Sequence, residues 1–323
     1  MRFSGSSVAS FMAAALLTAG LAAAQTYPAK TVRVLIPWPP GGSNDIVGRI
    51  VFQKVAEQTG EQFVIDNRGG AAGTIGADIV AKSPPDGYTI MVHSATHVAN
   101  AHLYQKLPYD TLKDFIGITP LAAQVGMLAV HPSLPVKTVR EFIALAKARP
   151  GEIIYGSSGN GSFVHLTMAL FNSMTGTQMV HVPYRGGGPA SIGIASGETQ
   201  AMIATIGALI PQINAKQVRP LAVTSAARVK QFPGVPTLAE AGVPGYEFTA
   251  WIGAFVPAST PRPVVDRLGA EIRKALDHPD VARILSSQTL DPMFMTPEEF
   301  ARRLKSDDDK YEKLIKLTAA KIG

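Results

Sequence analysis

The chain has 323 residues, no cysteine, 46% hydrophobic residues and only 17% charged residues. This composition indicates a globular protein and excludes a disordered chain, while the lack of cysteine excludes disulfides and thiol catalysis. The net charge of +6 comes from scattered basic residues rather than from a dense basic stripe, so we expect no nucleic-acid partner. The single charge run, Asp307-Asp308-Asp309, is expected on a solvated helix face.

The first 24 residues have the three parts of a secretory signal. Arg2 gives a positive start, an uncharged run rich in Ala and Leu covers about residues 8–21, and Ala22-Ala23-Ala24 supplies the small residues that a signal peptidase reads. The apolar run is shorter than the roughly 20 residues that a membrane-spanning helix needs. We therefore predict export to the periplasm with cleavage after Ala24, rather than a membrane anchor.

After residue 24, short apolar runs alternate with longer helical segments, which is typical of an α/β protein. Strands are predicted, in chain order, at residues 31–37, 63–66, 88–93, 122–130, 152–155, 179–183, 201–205, 219–224 and 246–256. Helices are predicted at residues 45–59, 73–81, 139–148, 162–174, 189–196, 264–277 and 297–320. Thr138, with Glu141 three residues later, predicts a capping box at the start of the third helix.

This order of elements predicts two lobes. The first comprises residues 25–123 and 250–323, and the second comprises residues 124–249. The chain would then cross between the lobes twice, near residues 119–124 and 247–253, and two such crossovers act as a hinge.

Four glycine-rich loops each follow a predicted strand and precede or open a helix. They cover residues 39–45, 68–76, 156–162 and 183–189, two in each lobe. Glycine lets backbone N–H groups approach an anion closely, and the start of the following helix adds unpaired donors and a partial positive charge. Ligands of open parallel sheets bind outside the carboxyl ends of the strands, so we expect the loops to surround one cleft. They predict an anionic ligand with more than one acidic group.

Side chains beside these loops allow more than one interpretation. Trp38 could stack on a ligand ring or plug the end of the first strand, and we favour the plug. His165 could cap, pack or face the cleft. Asp45 is expected to brace its loop through backbone N–H groups, and Arg185 could pair with the ligand or stay at the rim.

Metal binding and catalysis are weakly indicated. His93 and His97 are expected to be structural or to contact a ligand. His93 is expected to end a strand, where two side chains four residues apart do not converge on a metal ion. No cofactor is predicted, since Val164 replaces the third glycine of a dinucleotide-binding fingerprint. An exported enzyme that uses Ser162 and His165 remains an alternative, as does a sensor subunit that docks on a signalling receptor.

Long stretches of the chain carry a family resemblance. They include YPAKTVRVLIPWPPGGSNDIVGR (27–49), VIDNRGGAAGTIGADIVAKSPPDGYTI (64–90), HVPYRGGGPA (181–190) and WIGAFVPASTPRPVVDRL (251–268). In these stretches the sequence resembles the substrate-binding proteins of tripartite tricarboxylate transporters, a family first described as Bordetella uptake gene products. The resemblance implies an α/β, two-lobed periplasmic-binding-protein architecture of the Venus-flytrap, type II-like kind, with no catalytic activity. The implied partners are a small organic acid and a two-component membrane carrier, and we expect a monomer.

The resemblance also implies which residues hold the ligand. Family members hold a carboxylate largely with backbone groups of the first two loops, and the second lobe closes over the other end. Carried over, these positions are Gly41, Gly42, Ser43, Asn44, Gly73 and Thr74 in the first lobe, and Ser157, Ser158, Ser162 and Tyr184 in the second. Trp38, Ser94 and His165 complete the candidate ligand-binding set.

Two departures from the family pattern bear on ligand identity. Met202-Ile203-Ala204 stands where members often have Met-Phe-Asp, so any contact made by that aspartate is missing. Trp38 replaces the more usual Phe or Tyr. The ligand classes left open are di- and tricarboxylates, acidic amino acids and aromatic dicarboxylates such as terephthalate.

Overall fold

The computed structural model describes residues 27–318. The predicted signal peptide, residues 1–24, lies outside the described residues. Within 27–318, no helix combines the length and the apolar character that crossing a bilayer requires.

Strands and helices alternate along most of the described chain. The strands are β1 (Val32–Ile36), β2 (Phe63–Asn67), β3 (Thr89–Ser94), β4 (Phe115–Val130), β5 (Ile154–Ser157), β6 (Val180–Pro183), β7 (Ala201–Thr205), β8 (Arg219–Val223), β9 (Thr249–Pro257) and β10 (Leu290–Pro292). The helices are α1 (Ser43–Thr59), α2 (Thr74–Ala81), α3 (Thr96–Leu103), α4 (Val139–Ala148), α5 (Phe163–Thr175), α6 (Gly187–Ser196), α7 (Ile206–Asn214), α8 (Arg262–Leu276), α9 (Pro279–Ser287) and α10 (Pro297–Thr318). A short 3₁₀ turn, Ala71–Gly73, precedes α2.

The strands form two groups that share β4. The first group has the order β2-β1-β3-β9-β4-β10, in which β1 pairs in parallel with β2 and β3 and the remaining pairs are antiparallel. The second group has the order β8-β4-β7-β5-β6, with β5 parallel to both β6 and β7. β4 pairs with β9 as far as Val125 and with β7 from Gly126, so one strand serves both groups.

The first half of β4 differs from the prediction, which began this strand at residue 122. Gly117 and Pro120 interrupt the strand-like pattern of residues 115–121, and both residue types are disfavoured inside strands. The structure accommodates them with register shifts between Gly117 and Thr119 and between Pro120 and Ala122. Pairing with β9 therefore forms this part of the strand although the local sequence disfavours it.

Three helices were not predicted: α3, α7 and α9. α3 has the sequence THVANAHL, whose Thr, Val and His residues have low helix propensity. α7 contains Pro211 inside the helix and Gly207 in its first turn, both of which argue locally against a helix. The Thr138 half of the capping box predicted for α4 is confirmed, because the Thr138 side chain accepts a hydrogen bond from the Glu141 N–H. The Glu141 carboxylate accepts from the Lys137 N–H instead of the Thr138 N–H.

The expectation that residues 307–309 form a solvated face is wrong for Asp307. Its side chain is buried, accepts a hydrogen bond of 2.7 Å from the Trp251 indole N–H, and pairs with Arg303. Asp308 pairs with His102, while Asp309 is exposed. One carboxylate of this charge run, Asp307, is thus a buried hydrogen-bond acceptor. It is buried because the Trp251 indole places its N–H donor in the core beneath the helix.

Candidate ligand-binding cleft

All four glycine-rich loops border one cleft between the two strand groups. Residues that border its inner chamber from the first group are Trp38, Pro39, Gly42, Ser43, Asn44, Ser94, Thr96 and Gln124. Those from the second group are Ser158, Ser162, Phe163, Val164, Gly187, Ala204, Thr205 and Ala208. Among the described residues, no Asp, Glu, Lys, Arg or His borders this chamber.

An outer chamber continues from the inner one, and Trp38, Pro39 and Ser158 border both. The second glycine-rich loop contributes residues 69–72 to this outer part, and the fourth loop contributes residues 184–186. Arg185 is the charged side chain among the residues that border it. Arg185, for which the sequence left pairing with the ligand and a place at the rim open, therefore borders the outer chamber and not the inner one.

Five helices begin at the inner chamber. Four of them have no side-chain cap at their N-cap residues, which are Gly42 for α1, Ala95 for α3, Gly186 for α6 and Thr205 for α7. The fifth helix, α5, is capped by the Ser162 hydroxyl. Amides in the first turn have no acceptor within their own helix, and they carry the positive end of the helix dipole. Their convergence can hold a carboxylate without a basic side chain.

Asp45 fixes the shape of the first loop. Its carboxylate accepts hydrogen bonds from the Gly41 N–H at 2.9 Å, the Asn67 amide at 3.0 Å and Arg49 Nε at 2.9 Å. Burial raises the pKa of Asp45, but these hydrogen bonds outweigh burial and hold the pKa below its ordinary value. The Asp45 carboxylate thus stabilises the loop conformation, as the sequence predicts. Gly41 donates one of these hydrogen bonds and does not border the chamber.

Two close contacts in the described part of the chain join the two strand groups across the cleft. The hydroxyls of Ser43 and Thr205 lie 2.8 Å apart. Gly186 packs so closely on Pro39 that a Cβ at this glycine would lie 2.5 Å from the proline Cγ. Gly186 also has φ +118°, a backbone conformation that other residues rarely adopt. Glycine is required here for both reasons.

Two buried amides border the inner chamber with an atom unpaired. Asn44 Oδ1 and Gln124 Oε1 have no hydrogen-bond partner in the described part of the chain, although the two residues are only 8% and 3% exposed. A buried polar atom without a partner costs free energy, so a ligand or water that bonds it is stabilised. A half-turn of either amide presents N–H donors instead of oxygen. Both side chains can therefore serve a carboxylate.

Several candidates from the sequence lie behind the chamber wall instead of on it. Thr74 and Gly73 border neither chamber, and a Cβ at Gly73 would lie 2.3 Å from His93 Nε2. Gly73 therefore makes room for His93, whose Nδ1 accepts a long hydrogen bond, 3.4 Å, from the Trp38 indole. Trp38 is only 9% exposed, as expected of a plug at the strand end, and it also borders both chambers.

Ser157, His165 and His181 form a cluster beneath the third loop. The Ser157 hydroxyl lies 2.6 Å from His181 Nε2, and the rings of His165 and His181 stack at 4.1 Å. Burial lowers the pKa of His181 to about 3, with a contribution from His165, and it lowers the pKa of His165 to about 4. Both rings are therefore neutral at pH 7.

This cluster does not build the nucleophile–base pair considered from the sequence. His165 Nδ1 accepts from the Gly161 N–H, and Ser162 accepts from the His165 backbone instead of its ring. Ser157 is fully buried and borders neither chamber, so its hydroxyl does not reach the cleft. The hydrogen bonds of this cluster instead hold the third loop in its conformation.

The predicted residues that do border the cleft are Trp38, Gly42, Ser43, Asn44, Ser94, Ser158, Ser162 and, in the outer chamber, Tyr184. Sequence reasoning missed Thr96, Gln124, Phe163, Ala204, Thr205 and Ala208. Thr96, Thr205 and Ala208 belong to the starts of α3 and α7, the helices that were not predicted. Gln124 lies where β4 passes from one strand group to the other, a position that only the pairing reveals.

Metal ligands are not assembled near this cleft. His93 and His97 are fully buried and lie 5.3 Å apart between ring centroids. Burial lowers the pKa of both rings, to about 3 for His97. Over residues 27–318 no group of three or more His, Asp or Glu side chains is placed to hold a metal ion.

Comparison with known proteins decides the family. The model of the tripartite tricarboxylate transporter family receptor matches residues 47–319. The chain belongs to this family. The receptor is 38% identical over 290 residues to the UPF0065 protein in the tcbD-tcbE intergenic region of Pseudomonas sp. (strain P51). The match covers 90% of this chain and 86% of that protein. The family predicted from the glycine-rich stretches is thus confirmed.

Two solved structures of similar proteins contain organic acids. R. palustris Rpa4515 with adipate has a TM-score of 0.89 and 35% identity to the receptor, and the match covers 92% of this chain and 100% of that one. MatC (Rpa3494) from Rhodopseudomonas palustris with bound malate has a TM-score of 0.84 and 29% identity to the receptor. The match covers 90% of this chain and 100% of that one. The predicted α/β, two-lobed binding-protein architecture is confirmed.

Proposed function

We propose that the receptor captures a small organic acid in this cleft, in the periplasm, and presents it to a two-component membrane carrier without converting it. The observation that carries the proposal is the convergence of four uncapped helix starts on a chamber without charged side chains. A carboxylate placed there caps several helices at once and pairs with their dipoles. The acids bound by Rpa4515 and MatC support this ligand class.

The proposal includes closure of two lobes around the acid. Lobe one comprises residues 25–123 and 250–323, and lobe two comprises residues 124–249. The change of partners of β4 after Val125, and the hydrogen bond from the Phe248 N–H to the Thr224 carbonyl, support crossovers at these places. The acid shifts the balance toward the closed form only if it bonds both lobes, and the chamber offers helix starts from each.

Binding without turnover is part of the same proposal. Acyl or proton transfer requires a nucleophile or base that reaches the ligand. The neutral lining of the inner chamber and the burial of Ser157 support simple capture. Unchanged acid recovered after long incubation with the protein is the expected result, and formation of a product would revive the enzyme alternative.

Calorimetric titration of ligand-free protein tests the function. The panel contains mono-, di- and tricarboxylates, each with the amide of the same skeleton as a matched neutral control. We expect one-to-one binding of at least one acid and none of its amide, because the helix dipoles favour negative charge. Binding of a neutral solute, with no response to any carboxylate, would overturn the proposal.

A further inference from the structure

Both neighbours of β4 change within a segment of four residues. Strand β10 pairs with β4 as far as Gln124, and β9 pairs with it as far as Val125. From Gly126 the partner is β7, and from Met127 it is also β8. The first crossover proposed between the lobes is therefore this short segment, and Gln124 is the last residue held by both lobe-one strands.

Thr224 bonds both crossovers. Its Oγ1 accepts from the Gly126 N–H at 2.8 Å, and its own N–H donates to the Gly126 carbonyl at 2.9 Å. Its carbonyl accepts from the Phe248 N–H at 2.8 Å, just before β9 begins. Thr224 is fully buried, so water does not replace these bonds. The two crossovers therefore bend as one hinge, and Gln124 lies at its edge.

Gln124 belongs to the ligand chamber as well as to the hinge. It borders the inner chamber, is 3% exposed, and its Oε1 has no hydrogen-bond partner within the described residues. Asn44, at the start of α1, also borders the chamber and has an unpaired Oδ1. Neither oxygen has surface that a water molecule can reach in this structure. An unpaired buried amide destabilises the conformation that buries it.

Opening of the cleft removes this cost. The hydroxyls of Ser43 and Thr205, 2.8 Å apart, join the two lobes in this structure, as expected of the closed receptor. Separation of the lobes admits water to the chamber, and water can pair with both amides. In the closed receptor a carboxylate can take the place of water, because rotation of an amide turns its N–H donors toward the acid. The empty closed form is thus the state that leaves the amides unpaired.

From this placement we infer that Gln124 couples occupation of the chamber to the hinge: it disfavours closure of the empty receptor and bonds the acid in the filled one. Asn44 acts in the same way from the start of α1. The inference rests on the proposed function, since it concerns how the acid controls closure of the same chamber. A ligand shifts a conformational balance by its differential interactions with the two states, and this amide supplies such a difference. The empty receptor therefore stays open.

Gln124→Met tests the coupling, because methionine keeps the length of the side chain and lacks the amide. The ratio of closed to open forms in the ligand-free receptor should rise on the order of 10-fold, since closure no longer leaves an amide unpaired. The dissociation constant of the acid should also rise on the order of 10-fold, since a hydrogen bond to its carboxylate is lost. A residue that only supports the fold would lose stability without favouring the closed form. Asn44→Leu is the second variant, with both effects in the same direction, and the exposed Gln105→Met is the control.

The distance between two spin labels measures the ratio of closed to open forms. The sequence has no cysteine, so Val64→Cys and Val180→Cys give two labelling sites without background. Both valines are exposed and lie on β2 and β6, the outermost strands of the two groups. The distance distribution of the acid-saturated receptor defines the closed form. Calorimetry gives the dissociation constants, with adipate and malate tried first and the other acids of the panel after them.

The outcomes separate this inference from the function beneath it. An unchanged ratio of closed to open forms in both folded variants overturns the coupling and leaves carboxylate capture standing. Equal or tighter binding of the acid by Gln124→Met also overturns the coupling, because the amide would then make no bond to the acid in the filled chamber. Failure of every acid of the panel to bind the wild-type receptor overturns the proposed function itself.

Discussion

The hydroxyls of Ser43 and Thr205 lie 2.8 Å apart and join the two strand groups across the cleft. Thr205 is the N-cap residue of α7, yet its oxygen bonds Ser43 and not an amide of its own helix. Threonine at an N-cap commonly bonds its own helix. We therefore expect opening of the cleft to return this hydroxyl to α7, so that one side chain serves both states.

Removing this bond should weaken ligand binding. A neutral hydrogen bond contributes about 0.5–1.5 kcal/mol, which corresponds to roughly a 2- to 10-fold rise in the dissociation constant for Thr205→Val. Ser43→Ala and the double variant complete a cycle, and we expect the double variant to lose about as much as either single one. Calorimetry measures the constants, with the exposed Ser306→Ala as control. Strictly additive losses would show that the two hydroxyls act independently.

Tryptophan fluorescence should report occupation of the cleft through Trp38. The chain has two tryptophans, and Trp251 is 1% exposed in the core with its indole bonded to Asp307. We expect a bound acid to change the emission of the wild-type protein, and Trp38→Phe to abolish that change while calorimetric binding persists. An undiminished change in Trp38→Phe would place the ligand nearer Trp251 than the cleft.

Asp307 should matter to stability far more than its neighbour in sequence. Asp307→Ala leaves the Trp251 N–H and the Arg303 guanidinium without their acceptor, and hydrogen bonds to charged groups contribute about 1.5–3 kcal/mol each. Asp309→Ala, on the exposed side of the same helix, should change the free energy of unfolding by less than about 0.5 kcal/mol. Urea denaturation compares the two variants, and equal losses would contradict the structure.

Acidification should destabilise the receptor through its buried histidines. Burial holds the pKa of His165 at about 4 and that of His181 at about 3, below the ordinary value of 6.5. Between pH 6.5 and about 4 the unfolded chain therefore binds protons that the folded protein does not, so stability is full above pH 6.5 and falls as the pH falls through this range. His93 and His97 act in the same direction.

A variant should isolate the contribution of the stacked pair. His165→Asn should lose less of its unfolding free energy between pH 7 and pH 5 than the wild-type protein. His131→Asn, at a ring that bonds Ser133 away from the cluster, is the control. Denaturant titrations at both pH values measure the difference. Identical pH dependence in His165→Asn and the wild-type protein would show that this ring does not titrate as described.

Sequence reasoning located the first loop well because its pattern is local. A β-branched strand, Trp38, two prolines and two glycines precede a helix, and this pattern predicts that the loop at residues 39–45 borders a cleft. The family resemblance implies Gly41, Gly42, Ser43 and Asn44 as the ligand-binding residues of that loop. The structure places Gly42, Ser43 and Asn44 at the inner chamber and Gly41 outside it. The short apolar run of β7 likewise predicted its bounds as the structure has them, Ala201–Thr205.

The remaining part of the cleft depends on pairing that no local pattern encodes. Gln124 borders the chamber because β4 continues from one strand group into the other, through Gly117 and Pro120, which argue locally against a strand. Thr205 and Ala208 do so because α7 forms despite Gly207 and Pro211. The position of His165 one turn into its helix leaves capping, packing and a place at the cleft open, and the structure turns its ring toward His181 beneath the third loop.

Proton–nitrogen NMR of the backbone amides shows whether helix starts hold the acid, with adipate as the first probe and the tightest acid of the calorimetric panel as the second. If helix-start amides hold the carboxylate, saturation should shift the amide protons of Ser43, Asn44 and Gly187 strongly downfield, and Arg185→Gln should bind with nearly unchanged affinity. If those amide signals do not move while Arg185→Gln abolishes binding, a basic side chain and not the helix starts holds the acid.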